Sequence, residues 1–375
     1  MRNLLVKSKF NGENLKNLDS ILKSMLQVKS PAKLAGARAS NRLSWQACES
    51  LAIIFNEFDN CDDFIAIFDY LEDFILYLKS NSSFEGNYYQ MKTGSNQWTI
   101  DALIKEEKES GSILSKMFEI GDKFKAKELE FVSNKKLKAR KTSDGKVVSN
   151  ETLKFSDLHN DESIKITNHL SGKGINDLSQ ITSSRLSMLP IKVTDRDESL
   201  KGKMVSFVDS KYPKSKYSPL TLFLSLTNEV ERRLKYEDEL KDVDELKEEK
   251  CLNKEQFKSV IESSLNYETL EKLIDRIESQ LQSEDKDFST IRPIKSGIRR
   301  INNLRIARPH YFGLLLKSVS QLIQAVGTKE ATLYDQAEDC FKTIKADKDI
   351  IEKIGVLCMN EDELFAMVIY EIFES

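Results

Sequence analysis

Two short apolar runs, Phe64–Phe68 (FIAIF) and Phe74–Leu78 (FILYL), lie either side of the five residues Asp69–Asp73. Both runs are β-branched and aromatic in character, which predicts paired strands. A third run, Asn87–Lys92 (NYYQMK), alternates as a strand does, and residues two apart on it share one face. Tyr88, Gln90 and Lys92 therefore line up together, so that an amide and an ammonium stand side by side in an otherwise apolar sheet. A helix is expected just before the strands, over Ser44–Phe58 (SWQACESLAIIFNEF), with Ser44 as its cap. Trp98–Lys108 (WTIDALIKEEK) and Ser112–Phe124 (SILSKMFEIGDKF) read as helices, and Glu128–Asn134 (ELEFVSN) as a fourth strand. The order is helix, three strands, helical segment, strand.

Upstream, Leu15, Leu18, Ile21, Leu22 and Met25 recur at helical spacing before the break at Ser30–Pro31. From about Glu151 the periodicity is mixed, and the stretch Ile191–Tyr212 is expected to hold a strand or an extended link. From Pro219 nearly to the end the pattern is helical, with no repeat of fixed period. These signals predict an N-terminal helical extension over 1–30, a mixed domain over 31–210 and a helical regulatory or oligomerisation domain over 211–375. At 375 residues the chain exceeds the usual size of one domain.

Composition narrows the chemistry. With 57 basic against 60 acidic residues the net charge is −3, so any nucleic-acid site has to be a local patch. The five cysteines are scattered without a C-x-x-C pair, which points to a reducing cytoplasm. Three histidines, none close in sequence to another or to a cysteine, give little material for Cys-His or Ser-His-Asp catalysis. Neither a phosphate-binding G-x-x-x-x-G-K-[ST] loop nor a G-x-G-x-x-G fingerprint occurs. No stretch reaches the roughly 18 apolar residues of a membrane span, so a location in the cytoplasm is expected.

Asp73 opens the second strand and Gln90-x-Lys92 lies on the third, so a turn can gather a carboxylate, an amide oxygen and an ammonium at one end of a sheet. Mg²⁺ takes oxygen ligands and keeps several waters, and one carboxylate with neutral oxygens and a substrate phosphate can hold it. Lys92 would then orient an attacking water and offset charge building on the phosphate. The bland alternative makes Lys92 an edge-strand lysine that keeps the sheet soluble.

The order of elements together with Asp73 and Gln90-x-Lys92 resembles the PD-(D/E)xK nuclease superfamily in the variant where Gln replaces the second acid. The segments GARASNRLSWQACESLAIIFNEF, FDYLEDFILYL, YYQMKTGSNQWTIDALIK, SILSKMF and LEFVSNKKLK are together similar to the double-stranded-DNA endonuclease domain of bacterial anti-phage systems. That domain is the effector of CBASS systems and the nuclease subunit of Lamassu systems. The resemblance covers roughly Ala35–Leu170. It implies an α+β fold with a restriction-endonuclease-like core, a mixed sheet flanked by helices, ahead of the all-helical C-terminal domain. It implies a Mg²⁺-dependent (or Mn²⁺-dependent) endodeoxyribonuclease with Asp73, Gln90 and Lys92 as the catalytic set, and Asp73, Gln90 and Met91 holding the metal. Glu49 is implied as an outer-sphere carboxylate, with a plain solvent-facing glutamate as the alternative, and Glu72 is the rival to Asp73.

CBASS relatives carry a mixed α/β sensor for cyclic oligonucleotides, whereas the C-terminal half here reads as helical. The resemblance therefore implies control by protein partners, as in Lamassu: an SMC-like ATPase with an accessory subunit, and homo-oligomers when active. A nuclease gated by a cyclic oligonucleotide and a non-catalytic DNA-binding or assembly subunit are the alternatives. The basic run Asn134–Lys141 supplies Lys135, Lys136, Lys138, Arg140 and Lys141 as candidate clamps on DNA phosphates, against a solvated loop. A second cluster, Arg299, Arg300, Arg305 and Arg308, is expected to be an ion-paired face meeting the acidic stretch Glu237–Glu249. Trp98 is expected to pack beneath the site or start the next helix, and Tyr88 and Tyr89 to point one in and one out.

Overall fold

The hairpin of apolar runs forms as the spacing predicts. In the computed structural model, which describes residues 12–28, 40–80, 83–94, 97–106, 111–140, 147–148, 152–175, 184–188, 196–265, 270–326 and 331–374, β1 (Asp63–Phe68) pairs antiparallel with β2 (Phe74–Ser80) from Asp63 opposite Lys79 to Phe68 opposite Phe74. Before them lie α1 (Gly12–Gln27) and α2 (Ser40–Glu57). α2 begins four residues ahead of the expected cap, so Ser44 lies within the helix instead of at its start.

β3 (Ser83–Lys92) follows, then β4 (Trp98–Thr99), α3 (Ile100–Ile104), α4 (Ile113–Phe124), β5 (Glu128–Ser133), β6 (Leu137–Arg140), β7 (Val147–Val148), β8 (Thr152–Lys154), α5 (Asn160–Gly172) and β9 (Arg185–Met188). The helix expected from Trp98 is only α3, capped by the Thr99 hydroxyl accepting from the Ala102 N–H, and Trp98 itself sits in β4 with its ring edge-on to Phe131. α6 (Arg196–Lys211) takes the place of the strand or link expected there, while α7 (Pro219–Lys235), α8 (Val243–Lys250) and β10 (Cys251–Asn253) come next. A seven-stranded sheet has the order β10-β1-β2-β3-β5-β9-β8, and a small one the order β4-β6-β7.

The chain divides into two compact units, Met1–Lys203 with Val230–Lys254, and Met204–Glu229 with Glu255–Ser375. The stretch 230–254, expected within the helical half, thus belongs to the unit that holds the large sheet, to which it adds β10 beside β1. β3 is an interior strand, antiparallel to β2 and parallel to β5, so Lys92 is not an edge-strand lysine. Because helices cover both faces, Tyr88 and Tyr89 are both buried, 1% and 5% exposed. Tyr88 faces the cluster of Ile75, Tyr77, Met117, Phe118 and Leu129, where its hydroxyl meets that of Tyr77 at 2.5 Å. Tyr89 lies on the other face against Phe74.

The second unit contains α9 (Lys254–Glu262) from Glu255 onward, α10 (Leu270–Ser283), α11 (Phe288–Ala307), α12 (Pro309–Val326), α13 (Leu333–Ala346), α14 (Lys348–Leu357) and α15 (Glu361–Glu374). The apolar stripes of α10–α15 share one core that includes Ile298, Leu315, Ile344 and Val368. The arginine cluster finds partners inside this unit: Arg299 pairs with Glu271 at 3.0 Å and Arg300 with Glu363 at 3.5 Å, Arg305 donates to the Asn302 side chain, and Arg308 donates to the Val356 carbonyl.

α11 lies close against α15 at Gly297, where an added Cβ would stand 2.5 Å from the Ala366 Cβ and 3.2 Å from the Asp362 carbonyl oxygen. Gly297→Ala forces the helices apart, a cost of about 1–3 kcal/mol for overpacking that exceeds the roughly 1 kcal/mol alanine gains in a helix. A lower denaturation midpoint is the expected result in urea. Among the described residues no helix is long and apolar enough to cross a membrane.

Candidate active site

Asp73 ends the turn between β1 and β2, one residue before β2 begins, and its carboxylate is only 6% exposed. The backbone closes this turn with the Asp69 N–H donating to the Asp73 carbonyl at 3.0 Å, and Asp69 takes a left-handed φ of 46°. With Phe74 opposite Tyr89, continuation of the register carries Asp73 to the end of β3 that holds Gln90. Three donors converge there on one oxygen, Asp73 Oδ2: the Gln90 Nε2 amide, the Met91 backbone N–H at 2.8 Å and the Lys92 ammonium at 3.1 Å. Arg42 on α2 stands 3.7 Å from Asp73 Oδ1. The structure therefore brings together Asp73, Gln90, Met91 and Lys92.

The opposite face of β3 meets α2. Gln46 Nε2 approaches the Met91 carbonyl at 3.5 Å, and the Ser50 hydroxyl lies 3.9 Å from the Met91 sulfur. Glu49 falls between these two on the same helical stripe and is 6% exposed, so it is not the solvent-facing glutamate of the alternative reading. Arg42, Gln46, Glu49 and Ser50 follow i, i+4, i+7, i+8 spacing, a polar line on a helix whose other buried positions are mainly apolar. Only Glu49 of the four was expected. The spacing was the available signal for the others.

Glu72 is as buried as Asp73 but takes no part in the convergence on Oδ2. Burial foremost, then the neighbouring Asp73 charge, pushes its carboxyl up to about 8, while Lys92 and Lys116 pull the other way. Glu72 is also among the charges that act on Tyr88, so the acid leans toward the face that Tyr88 and α4 share. Lys116 of α4, half-buried, is a further cation near these acids that the sequence did not single out.

At the end of β3, Lys92 lies beside Ser133 of β5, and the Asn134 side-chain oxygen accepts from the Gly94 N–H at 3.0 Å. The basic run begins in the loop Asn134–Lys136 and continues into strand β6. Lys136 and Lys138 are exposed and Lys135 half-buried, whereas Arg140 is engaged by Asp161 at 3.0 Å and by Glu162 at 3.7 Å on α5. Lys141 lies outside the described residues.

Whether these residues suit a divalent cation can be judged from their donors. Among the described residues no group of three or more His, Cys, Asp or Glu side chains could hold a metal, so an ion here depends on mixed oxygens. Those oxygens are present: the Asp73 carboxylate, the Met91 carbonyl with a single long side-chain contact, and the Gln90 amide, which offers its oxygen after a half-turn. Gln46 Oε1 and Glu72 Oε1 are buried without a hydrogen-bond partner among the described residues. Hard neutral and anionic oxygens of this kind fit Mg²⁺ or Mn²⁺.

A family model described as the Cap4 dsDNA endonuclease domain matches residues 34–233, more than half of the chain and all of the site just described. No curated protein and no solved structure matches the chain. A mixed sheet flanked by helices agrees with that match, and the chain belongs to the Cap4 double-stranded-DNA endonuclease family, nucleases of anti-phage defence.

Proposed function

We propose that the protein is a metal-dependent endonuclease that cuts double-stranded DNA at the end of β3, as the effector of a defence complex. The convergence of Gln90, Met91 and Lys92 on one oxygen of Asp73 carries this reading. Asp73, Gln90 and the Met91 carbonyl would hold Mg²⁺, with Glu49 as an outer carboxylate. When bound, the ion supplies positive charge to a phosphate oxygen and makes a nearby water easier to deprotonate. Lys92, held at 3.1 Å from Asp73, orients the attacking water and offsets negative charge as the phosphodiester is hydrolysed. Covalently closed plasmid incubated with purified protein tests this: linear products with Mg²⁺ and none with chelator are expected, and intact plasmid in both would reject it.

Lys135, Lys136 and Lys138 serve as sequence-independent clamps on the DNA backbone, and Arg140 contributes less because α5 already engages it. The double variant Lys136→Ala with Lys138→Ala is expected to weaken duplex binding uniformly across sequences and to lower the slope of log K against log salt by about 2. A fluorescence titration at several salt concentrations reads this, and an unchanged slope would assign the clamp elsewhere.

An endonuclease that reads no bases endangers its own host, so its activity has to be withheld until a signal arrives. The helical unit, whose helices α10–α15 share one core, is our candidate for docking an SMC-like ATPase with its accessory subunit in a Lamassu-type system. Release then permits homo-oligomers, in which paired sites cut both strands. Full activity from a strictly monomeric protein by light scattering, or no capture of the ATPase subunits in a pull-down, would remove this part of the reading.

A further inference from the structure

The turn that presents Asp73 is anchored from a distant part of the chain. Lys250 is the last residue of α8, directly before β10, and is 2% exposed. Cys251 stands opposite Ile67 in the register of β10 with β1, so Lys250 follows on toward the point where β1 ends and the turn begins. Its ammonium lies 4.0 Å from Asp69 Oδ2 and donates to the Arg233 carbonyl at 2.9 Å, while Arg233 Nε donates to the Cys251 carbonyl at 2.7 Å. The end of α7 and the start of β10 are thereby tied to each other and to Asp69.

Asp69 is the residue on which the geometry of the turn hinges. Its φ of 46° lies in the left-handed region, which aspartate and asparagine tolerate better than other residues with a side chain. Its N–H donates to the Asp73 carbonyl, and the Asp73 carboxylate accepts from Gln90, Met91 and Lys92. A contiguous path therefore runs from Lys250 through Asp69 to Asp73. Lys250 lies beyond residue 233, where the family match ends.

From this path we infer that Lys250 is a positioning residue for the nuclease site: through Asp69 it fixes the turn that holds Asp73 against β3. The inference rests on Asp73 being the reactive carboxylate of the proposed function. It also gives the segment Val230–Lys254 a role, because Lys254, directly after β10, begins α9. Anything that draws β10 from the edge of β1 would loosen Asp69 and with it the site.

Two variants and two readouts test the assignment. Lys250→Met removes the ammonium, and Asp69→Asn removes the negative charge facing it while keeping a residue type that tolerates left-handed backbone. In each, hydrogen exchange is expected to quicken selectively in peptides covering Asp69–Asp73 and Met91, with the rest of the sheet protected as in wild type. Turnover on plasmid is expected to fall by about 10- to 100-fold, as for other groups that orient a site residue, with KM for duplex DNA unchanged. Folded variants with wild-type exchange and turnover would overturn the assignment. So would exchange that quickens across the whole sheet or failure of both variants to fold, either of which makes the pair a folding determinant instead. If wild-type protein cuts no DNA with any divalent cation, the proposed function fails, yet the exchange measurement still reports whether Lys250 fixes the turn.

Discussion

Lys92→Ala is expected to abolish Mg²⁺-dependent cleavage of duplex DNA while leaving the protein folded. The ammonium stands 3.1 Å from Asp73 Oδ2 at the mouth of the convergence, with about a quarter of its side chain exposed. Loss of one preorganised donor at a reacting centre costs about 10²–10³-fold in turnover, and Lys92 brings a full charge as well. Its contribution to stability is small by comparison. Asp73 keeps Gln90, the Met91 N–H and Arg42 as partners, and a partly exposed ion pair is worth about 1 kcal/mol or less. Single-turnover cleavage measured beside circular dichroism separates the two effects, and a folded variant that still cuts would remove Lys92 from the site.

The second large effect concerns the two adjacent acids. Asp73→Asn replaces the anion that three donors address, so metal binding and cleavage are expected to disappear together, measured by calorimetry with Mg²⁺ and by plasmid conversion. Glu72→Gln is expected to cleave within a few-fold of wild type. Burial pushes the Glu72 carboxyl up to about 8, which leaves it mostly protonated at neutral pH, and glutamine imitates a neutral carboxyl. Stability gives an independent check on the sign. A carboxyl whose folded pKa lies above its unfolded value costs stability as pH rises from about 4.5 toward 8, because the native state holds the extra proton. Glu72→Gln removes that loss and should denature at pH 8 no earlier than wild type. The reverse ranking of the two variants in cleavage would shift the metal ligand by one residue.

Much of this site could be read before the fold was known, and what was missed has physical causes. The strands announced themselves because their apolar runs are short, β-branched and aromatic, and Gln90 and Lys92 stood out as polar residues sharing a face with Tyr88. Arg42 and Gln46 did not stand out, because polar residues spaced at i and i+4 on a helix ordinarily face water. Only the packing of α2 on Met91 turns that stripe inward. One of Tyr88 and Tyr89 was expected to face outward because alternation was taken to mean one wet face, whereas helices cover both faces of this sheet. β10 is three residues long, too short for a period-2 signal, and lies among helices, so nothing in its sequence betrays that it completes the edge of β1. α6 was missed because the lysines and serines of Arg196–Lys211 dilute its apolar stripe.

The central claim is that a divalent ion and the scissile phosphate meet at Asp73, Gln90 and the Met91 carbonyl. It is tested most directly by anomalous scattering from crystals of the Lys92→Ala variant grown with duplex DNA and Mn²⁺. The account predicts an anomalous peak beside those three groups with a DNA phosphate next to it; a site empty of manganese, or manganese and phosphate bound together elsewhere on the chain, would contradict it.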